Sequence, residues 1–112
     1  MEKYKFKKAD GGPISKSDAE KWIDRYKKKH PDGPWAFFFG DDIIQAVIGD
    51  KEAVGMRVYL GYKEHEGQDQ LQMVLIGARE DGSNIWPNSS GKDGGSGGMV
   101  GDNGMSCPPY CP

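Results

Sequence analysis

Two apolar stretches in the middle of the chain restrict the fold more than any other feature of the sequence. In residues 54–60 the apolar side chains fall on every second position, and the run QLQMVLIGARE follows after a polar segment. Alternation with a period of two is typical of a strand with one buried face. Two such strands, joined by a loop of about seven residues at Lys63–Asp69, predict an antiparallel hairpin.

The segment before the hairpin predicts an edge strand and a helix. Tyr4 and Phe6 alternate with lysines over residues 3–7, and lysines on an outer face discourage pairing between sheet edges. A helix is expected after Ser15, its N-cap, with Asp18 at the third helical position. Its apolar residues have helical spacing: Ala19, Trp22, Ile23 and Tyr26.

Three further elements complete the predicted fold. The apolar run 35–39 predicts either a strand buried on both faces or the entrance to the next helix. A second helix is expected from Asp41 or Asp42, as N-cap, to just before Gly49. After the hairpin, the turn at residues 81–82 predicts a third meander strand containing Ile85 and Trp86. The fold class is therefore α+β, with two helices packed on an antiparallel sheet of about four strands.

Composition divides the chain after Pro87. A chain of 112 residues suits one domain with a modest core. Residues 88–104 contain seven glycines and only two apolar residues, Met99 and Val100, too few to bury enough surface to order the segment. We therefore expect a single α+β domain over residues 1–87, and a Gly-rich flexible arm over 88–112 that ends in Cys-Pro-Pro-Tyr-Cys.

Charge and hydropathy bear on partners and location. The net charge is −2, with the basic residues concentrated in positions 1–30, whereas nucleic-acid binders are usually basic domains with interleaved aromatic residues. The apolar runs are shorter than the ~18 residues that span a bilayer. The N-terminus has no apolar signal-peptide region, so the expected location is the cytoplasm, with export that needs no visible signal as the alternative. We expect neither nucleic acid nor a membrane as a partner.

The two cysteines, Cys107 and Cys111, leave several interpretations open. Cytoplasmic thiols are normally reduced, but a small disulfide ring is geometrically possible and would be favoured in an exported protein. The pair could supply half of a zinc site, whose other ligands are missing unless a dimer provides them. A redox role is disfavoured, because the spacing is three residues and the intervening prolines forbid a helix start.

The candidate binding surface is polar and aromatic. Arg57 and Tyr59 lie on the strand face opposite the Val/Met/Leu row, and Arg79 follows the second hairpin strand. The alternative for the arginines is packing of their aliphatic stems under a helix. Tyr110 lies beside tandem prolines, which suggest either a polyproline-type segment that binds a partner or a tail that packs on its own domain.

The pieces AFFFGDDII, GMRVYLGY, MVLIGARE and CPPYC resemble a family of small uncharacterised bacterial proteins. The resemblance extends from about Ile14 to Cys111. Its most specific elements are the Gly-x-Arg-x-Tyr strand and the Cys-Pro-Pro-x-Cys motif. The resemblance implies that the C-terminal segment belongs to the protein, and it carries no function.

No nucleophile, base and orienting residue converge in the sequence, so no catalytic residue and no cofactor is predicted. We expect a small non-enzymatic binding or interaction module with a protein as its partner. One alternative is a thiol- or metal-dependent protein that uses Cys107 and Cys111. Another is a precursor whose C-terminal tail is cut after Gly-Gly and modified.

Overall fold

The computed structural model describes residues 4–87 and 99–112. Over these residues it contains two helices and five strands in the following order: α1 Lys16–Lys29, β1 Ala36–Phe38, α2 Asp41–Ile48, β2 Gly55–His65, β3 Gln68–Ala78, β4 Val100–Gly101 and β5 Met105–Cys107. One sheet has the order β2-β3-β4, and a smaller sheet consists of β1 and β5. All strand pairs are antiparallel. The predicted α+β class is confirmed.

The hairpin of β2 and β3 is longer and its turn tighter than predicted. Pairing runs from Gly55 opposite Ala78 to His65 opposite Gln68. Only Glu66 and Gly67 form the turn, and both have positive φ, 53° and 80°, as two-residue hairpin turns require. The predicted seven-residue loop was wrong because this end of the hairpin is polar and exposed on both faces, so its strands carry no apolar alternation.

The core lies at the opposite end of β3, where α2 packs against the sheet. Its buried side chains are Val47, Leu75, Ile76, Ala78, Ile85 and Cys107. Gly77 permits the close contact of α2 with β3, because a Cβ at this position would lie 2.9 Å from the Val47 carbonyl oxygen. One short helix and the C-terminal end of β3 therefore form the centre of the domain. The buried face expected from the alternation over residues 54–60 is not observed, since Met56, Val58 and Leu60 are exposed.

Helix α1 begins as predicted but packs differently. The Ser15 side chain accepts a hydrogen bond of 3.0 Å from the Asp18 N–H, while no residue of α1 is buried. The helix is tied to the domain at its end, where the Trp35 indole Nε1 donates to the His30 carbonyl at 2.6 Å. The expectation of two helices on the sheet therefore holds for α2 alone, because an amphipathic pattern shows that a face is apolar and not what covers it.

Three smaller predictions also need correction. Residues 4–7 form no strand, although the Phe6 N–H donates to the Glu80 carbonyl at 2.7 Å. Strand β1 is not buried on both faces, since Phe38 is exposed. The N-cap of α2 is Gly40. Its acidic residues lie in the first turn, where carboxylates interact favourably with the helix dipole.

Two separate segments pair with the edge of β3 that faces away from β2. Asn84 forms an isolated bridge with Ala78, and the Ile85 N–H donates to the Gly77 carbonyl at 2.9 Å. The predicted third meander strand is reduced to these contacts. Nearer the start of β3, strand β4 pairs with the same edge and places Gly101 opposite Leu75.

The predicted flexible arm differs from the structure over its second half. Residues 88–98 lie outside the described residues. Strand β4 belongs to the larger sheet and β5 to the smaller one. Gly101 is buried, and a Cβ there would lie 2.8 Å from Ile43 Cγ1. At this position glycine serves close packing, a requirement that composition alone does not distinguish from flexibility. Within residues 4–87 and 99–112, no helix is long and apolar enough to cross a membrane.

Candidate functional site

The predicted binding residues lie in two separate groups. Arg57, Tyr59 and Arg79 meet at the turn that follows β3, around Asn84. Tyr110 lines an apolar cleft near the end of the chain, together with Cys107 and Cys111. The hairpin register explains the first group, because it places Arg57 opposite Ile76, close to the end of β3 that leads into Arg79 and the turn at residues 81–84.

Arg57 reaches across the sheet to this turn. Its Nη1 donates to the Gly82 carbonyl at 2.9 Å and to Asn84 Oδ1 at 2.5 Å. The guanidinium also lies 5.3 Å from the centre of the Phe6 ring, a cation–π distance. Asn84 in turn donates from Nδ2 to the Tyr59 hydroxyl at 2.8 Å. Sequence reasoning missed Asn84, whose only signal was its place in a turn rich in Asp, Gly and Ser.

Arg79 holds the same turn from the other side. Its Nε donates to Glu52 Oε1 at 2.5 Å, and its Nη1 donates to Ser83 Oγ at 3.2 Å and to the Asn84 carbonyl at 3.0 Å. The hydrogen bond to Glu52 raises the pKa of Arg79 above its ordinary value. The hydrogen bonds from Ser83 lower the pKa of Asp81.

We call Arg57, Tyr59, Arg79 and Asn84 the arginine cluster. Both guanidinium groups in it already donate to protein oxygen atoms. A guanidinium has five N–H donors in a fixed fork, and those used internally cannot bind a ligand without breaking the turn. The geometry therefore indicates that the cluster fixes the turn onto the hairpin, which is closer to the structural alternative than to a free binding surface.

The two cysteines form a disulfide, with 4.7 Å between their Cα atoms. Pro108 and Pro109 lie in a turn, which replaces the extended polyproline conformation considered from the sequence. The Tyr110 N–H donates to the Ser106 carbonyl at 2.9 Å. The Cys107 carbonyl accepts from the Trp35 N–H at 2.7 Å, so the ring is attached to both strands of the small sheet.

The cleft beside this ring is almost entirely apolar. It has a volume of about 620 Å³ and the following lining residues: Ala36, Phe37, Phe38, Met105, Cys107, Tyr110, Cys111 and Pro112. Phe38 and Met105 lie directly opposite each other across the small sheet. Phe38 is 67% exposed and Tyr110 is 61% exposed. We call this the C-terminal cleft.

The cleft contains no charged side chain and no set of metal ligands. Among residues 4–87 and 99–112, no group of three or more His, Cys, Asp or Glu residues could hold a metal ion. Both sulfur atoms are joined in the disulfide, so the structure contains no free thiol. Sequence reasoning missed both Phe38 and Met105. The run 35–39 indicates burial equally at every position, so Phe38 does not stand out within it.

The chain matches no protein-family model, no curated protein and no solved structure.

Proposed function

We propose that this protein is a small non-enzymatic interaction module whose C-terminal cleft binds an apolar segment of another protein. The observation that carries the proposal is that two exposed aromatic side chains, Phe38 and Tyr110, line the same concave surface, which has no charged side chain. Aromatic residues are enriched among the side chains that contribute most to protein interfaces.

Burial of these side chains provides the driving force for binding. Covering a large apolar side chain that was exposed contributes about 1.5–3 kcal/mol. Phe38 and Tyr110 together contribute about 3–6 kcal/mol, and the Tyr110 hydroxyl adds a polar group for orientation. This is less than the roughly 8 kcal/mol of a micromolar complex, so a partner has to cover the other apolar side chains of the cleft as well.

The cleft is also held in place before a partner arrives. Strands β1 and β5 form one wall, and the disulfide with the Tyr110–Ser106 hydrogen bond forms the other. A preformed surface loses less conformational entropy on binding than a mobile one. This rigidity supports binding by the folded segment, in place of the extended proline segment considered from the sequence.

The test is selection of binding peptides from a displayed random library against the full, oxidised chain. Selected peptides should be rich in aromatic and aliphatic residues. Phe38→Ser and Tyr110→Ser should each weaken their binding by about tenfold or more in fluorescence anisotropy. Trp86→Ser is the matched control, because Trp86 is 59% exposed and does not line the cleft. Equal losses in all three variants, or peptides that shift NMR signals only outside the cleft, would contradict the proposal.

The second candidate is a thiol-dependent role for the same cysteines. It is supported by Cys111, which is exposed at the edge of the cleft while Cys107 is buried. Exchange would begin by attack of an external thiolate on the exposed sulfur of Cys111, leaving Cys107 as the departing thiolate. A measured reduction potential near that of known oxidoreductases would favour this role, and a much lower potential would favour a structural disulfide.

The disulfide also bears on where the protein works. Disulfides persist mainly in oxidising compartments, so the bond supports export over the cytoplasmic location expected from the N-terminus. Rapid alkylation of native cells followed by intact-mass measurement distinguishes the two. Two alkylated thiols would favour the cytoplasm, and none would favour export. The same spectrum tests the precursor alternative, because a processed chain would lack its C-terminal end.

A further inference from the structure

Strand β2 forms one edge of the larger sheet and is unusually open. It is 11 residues long and has no partner on its outer side within residues 4–87 and 99–112. Natural edge strands are usually short, or are protected by proline, by a bulge or by charged side chains. Between Val58 and Tyr62 this strand has none of these, and its side chains there are mostly exposed and apolar.

From this edge we propose that β2 pairs with β2 of a second copy, antiparallel and centred on Tyr59. The argument is the symmetry of the sequence about that residue. Counting outward, Val58 falls opposite Leu60 and Met56 falls opposite Tyr62. Residues directly opposite each other in an antiparallel pair have their side chains on the same face of the sheet. These four apolar side chains of each copy would therefore form one continuous apolar row that crosses from one copy to the other.

The other face of the strand fits the same alignment. Tyr59 lies opposite its own copy on the two-fold axis, and Arg57 lies opposite Gly61. Aromatic pairs across strands stabilise a sheet, whereas like charges directly opposite destabilise it. If the alignment were centred on Leu60 instead, Arg57 would lie opposite Lys63 and the two positive charges would repel each other. The alignment centred on Tyr59 avoids this repulsion.

Charge at the ends of the paired segment also favours a second copy. In this alignment Glu64 falls opposite Val54 of the other chain. Val54 lines a cleft of about 310 Å³ whose charged side chains are Lys7, Lys8, Arg57 and Asp10, so that basic residues outnumber acidic ones. Each copy thus brings a carboxylate to a basic cleft of the other, and the contact occurs twice by symmetry. A strand from an unrelated protein would need to reproduce this pattern by chance.

The first experiment measures the mass of the full chain in solution by light scattering and sedimentation, from low to high micromolar concentration. The expected result is a concentration-dependent rise from 12.3 kDa towards twice that mass. Leu60→Lys should raise the dissociation constant by about tenfold or more. Trp22→Lys is the matched control, because Trp22 is 56% exposed, Leu60 is 66% exposed, and Trp22 lies on α1, outside both β2 and the C-terminal cleft.

A second experiment tests the alignment by cross-linking. Tyr59→Cys places two thiols opposite each other on the axis and should give a disulfide-linked dimer under mild oxidation. Gly61→Cys, at a position with open space for a Cβ, should cross-link far less. A monomer at every concentration, a dimer lost in Trp22→Lys but kept in Leu60→Lys, or faster cross-linking at position 61 would each overturn the proposal. Peptide binding in the C-terminal cleft is measured separately, so either proposal can fail alone.

Discussion

The Arg57 guanidinium donates a 2.5 Å hydrogen bond to the side-chain oxygen of Asn84, 27 residues further along the chain. This bond joins the start of β2 to the turn after β3. The same arginine also binds the Gly82 carbonyl and lies over the Phe6 ring. A single side chain thereby links the hairpin, the turn and the N-terminal segment.

Replacing this arginine should destabilise the domain. Arg57→Met keeps the aliphatic stem but removes two partly buried, charge-assisted hydrogen bonds. We expect the free energy of unfolding to fall by about 1–3 kcal/mol, the range for hydrogen bonds to charged groups. Urea denaturation measures the change. Arg25→Met in the exposed helix α1 is the control, and an equal loss in both variants would contradict a special role for Arg57.

Glycine at the contact of α2 with β3 should not tolerate a methyl group. Gly77→Ala would place its Cβ 2.9 Å from the Val47 carbonyl oxygen, a backbone atom that cannot move alone. We expect a loss of about 1–3 kcal/mol in stability, as for other overpacked sites. Gly61→Ala on the same hairpin has nothing within 4 Å of its Cβ and should change stability little. Thermal unfolding of the two variants provides the comparison.

The hydrogen bonds within the turn at residues 81–84 should affect the pKa of Asp81. Hydrogen bonds from Ser83 to the carboxylate lower the pKa of Asp81 in the folded chain. A carboxyl with a lowered folded pKa stabilises the fold above its unfolded pKa. That contribution is lost as the pH falls through the folded pKa. Ser83→Ala should therefore raise the pKa of Asp81 in a carboxyl-carbon NMR titration. Ser17→Ala should leave it unchanged, and a shift in both variants would contradict the assignment.

Removing the disulfide should loosen the C-terminal cleft while leaving the large sheet intact. The two cysteines are separated by 4 positions, and the chain-entropy model gives a loss of about 2 kcal/mol for so short a ring. In a variant combining Cys107→Ser with Cys111→Ser, hydrogen exchange at the Tyr110 amide should accelerate. Exchange along β2 and β3 should not change. Faster exchange throughout the chain would show that the ring supports the whole fold.

Sequence patterns predicted the local elements better than their arrangement. The Ser15 cap, the second helix and the two strands of the hairpin were all evident, because each depends on residues near one another in the chain. The buried face expected over residues 54–60 was wrong, because Met56, Val58 and Leu60 are exposed. The polar extension of the hairpin to His65 was not predicted, since a strand surrounded by solvent shows no apolar period. Arg57, Tyr59 and Arg79 were chosen as a binding surface; the structure brings them together around Asn84, which joins them only through the hairpin register.

The sequence by itself determined the two helices, the Ser15 cap and the two strands of the hairpin, and it determined the α+β class. Only the tertiary structure decided that β4 pairs with β3 in the larger sheet and β5 with β1 in the smaller one, and that Phe38 and Tyr110 line the same cleft. The reason is physical. A cap or a period acts over a few neighbouring residues. Strand pairing and cleft formation depend on the free energy of contacts between residues far apart in the chain, and a glycine-rich segment carries no local record of the surface on which it packs.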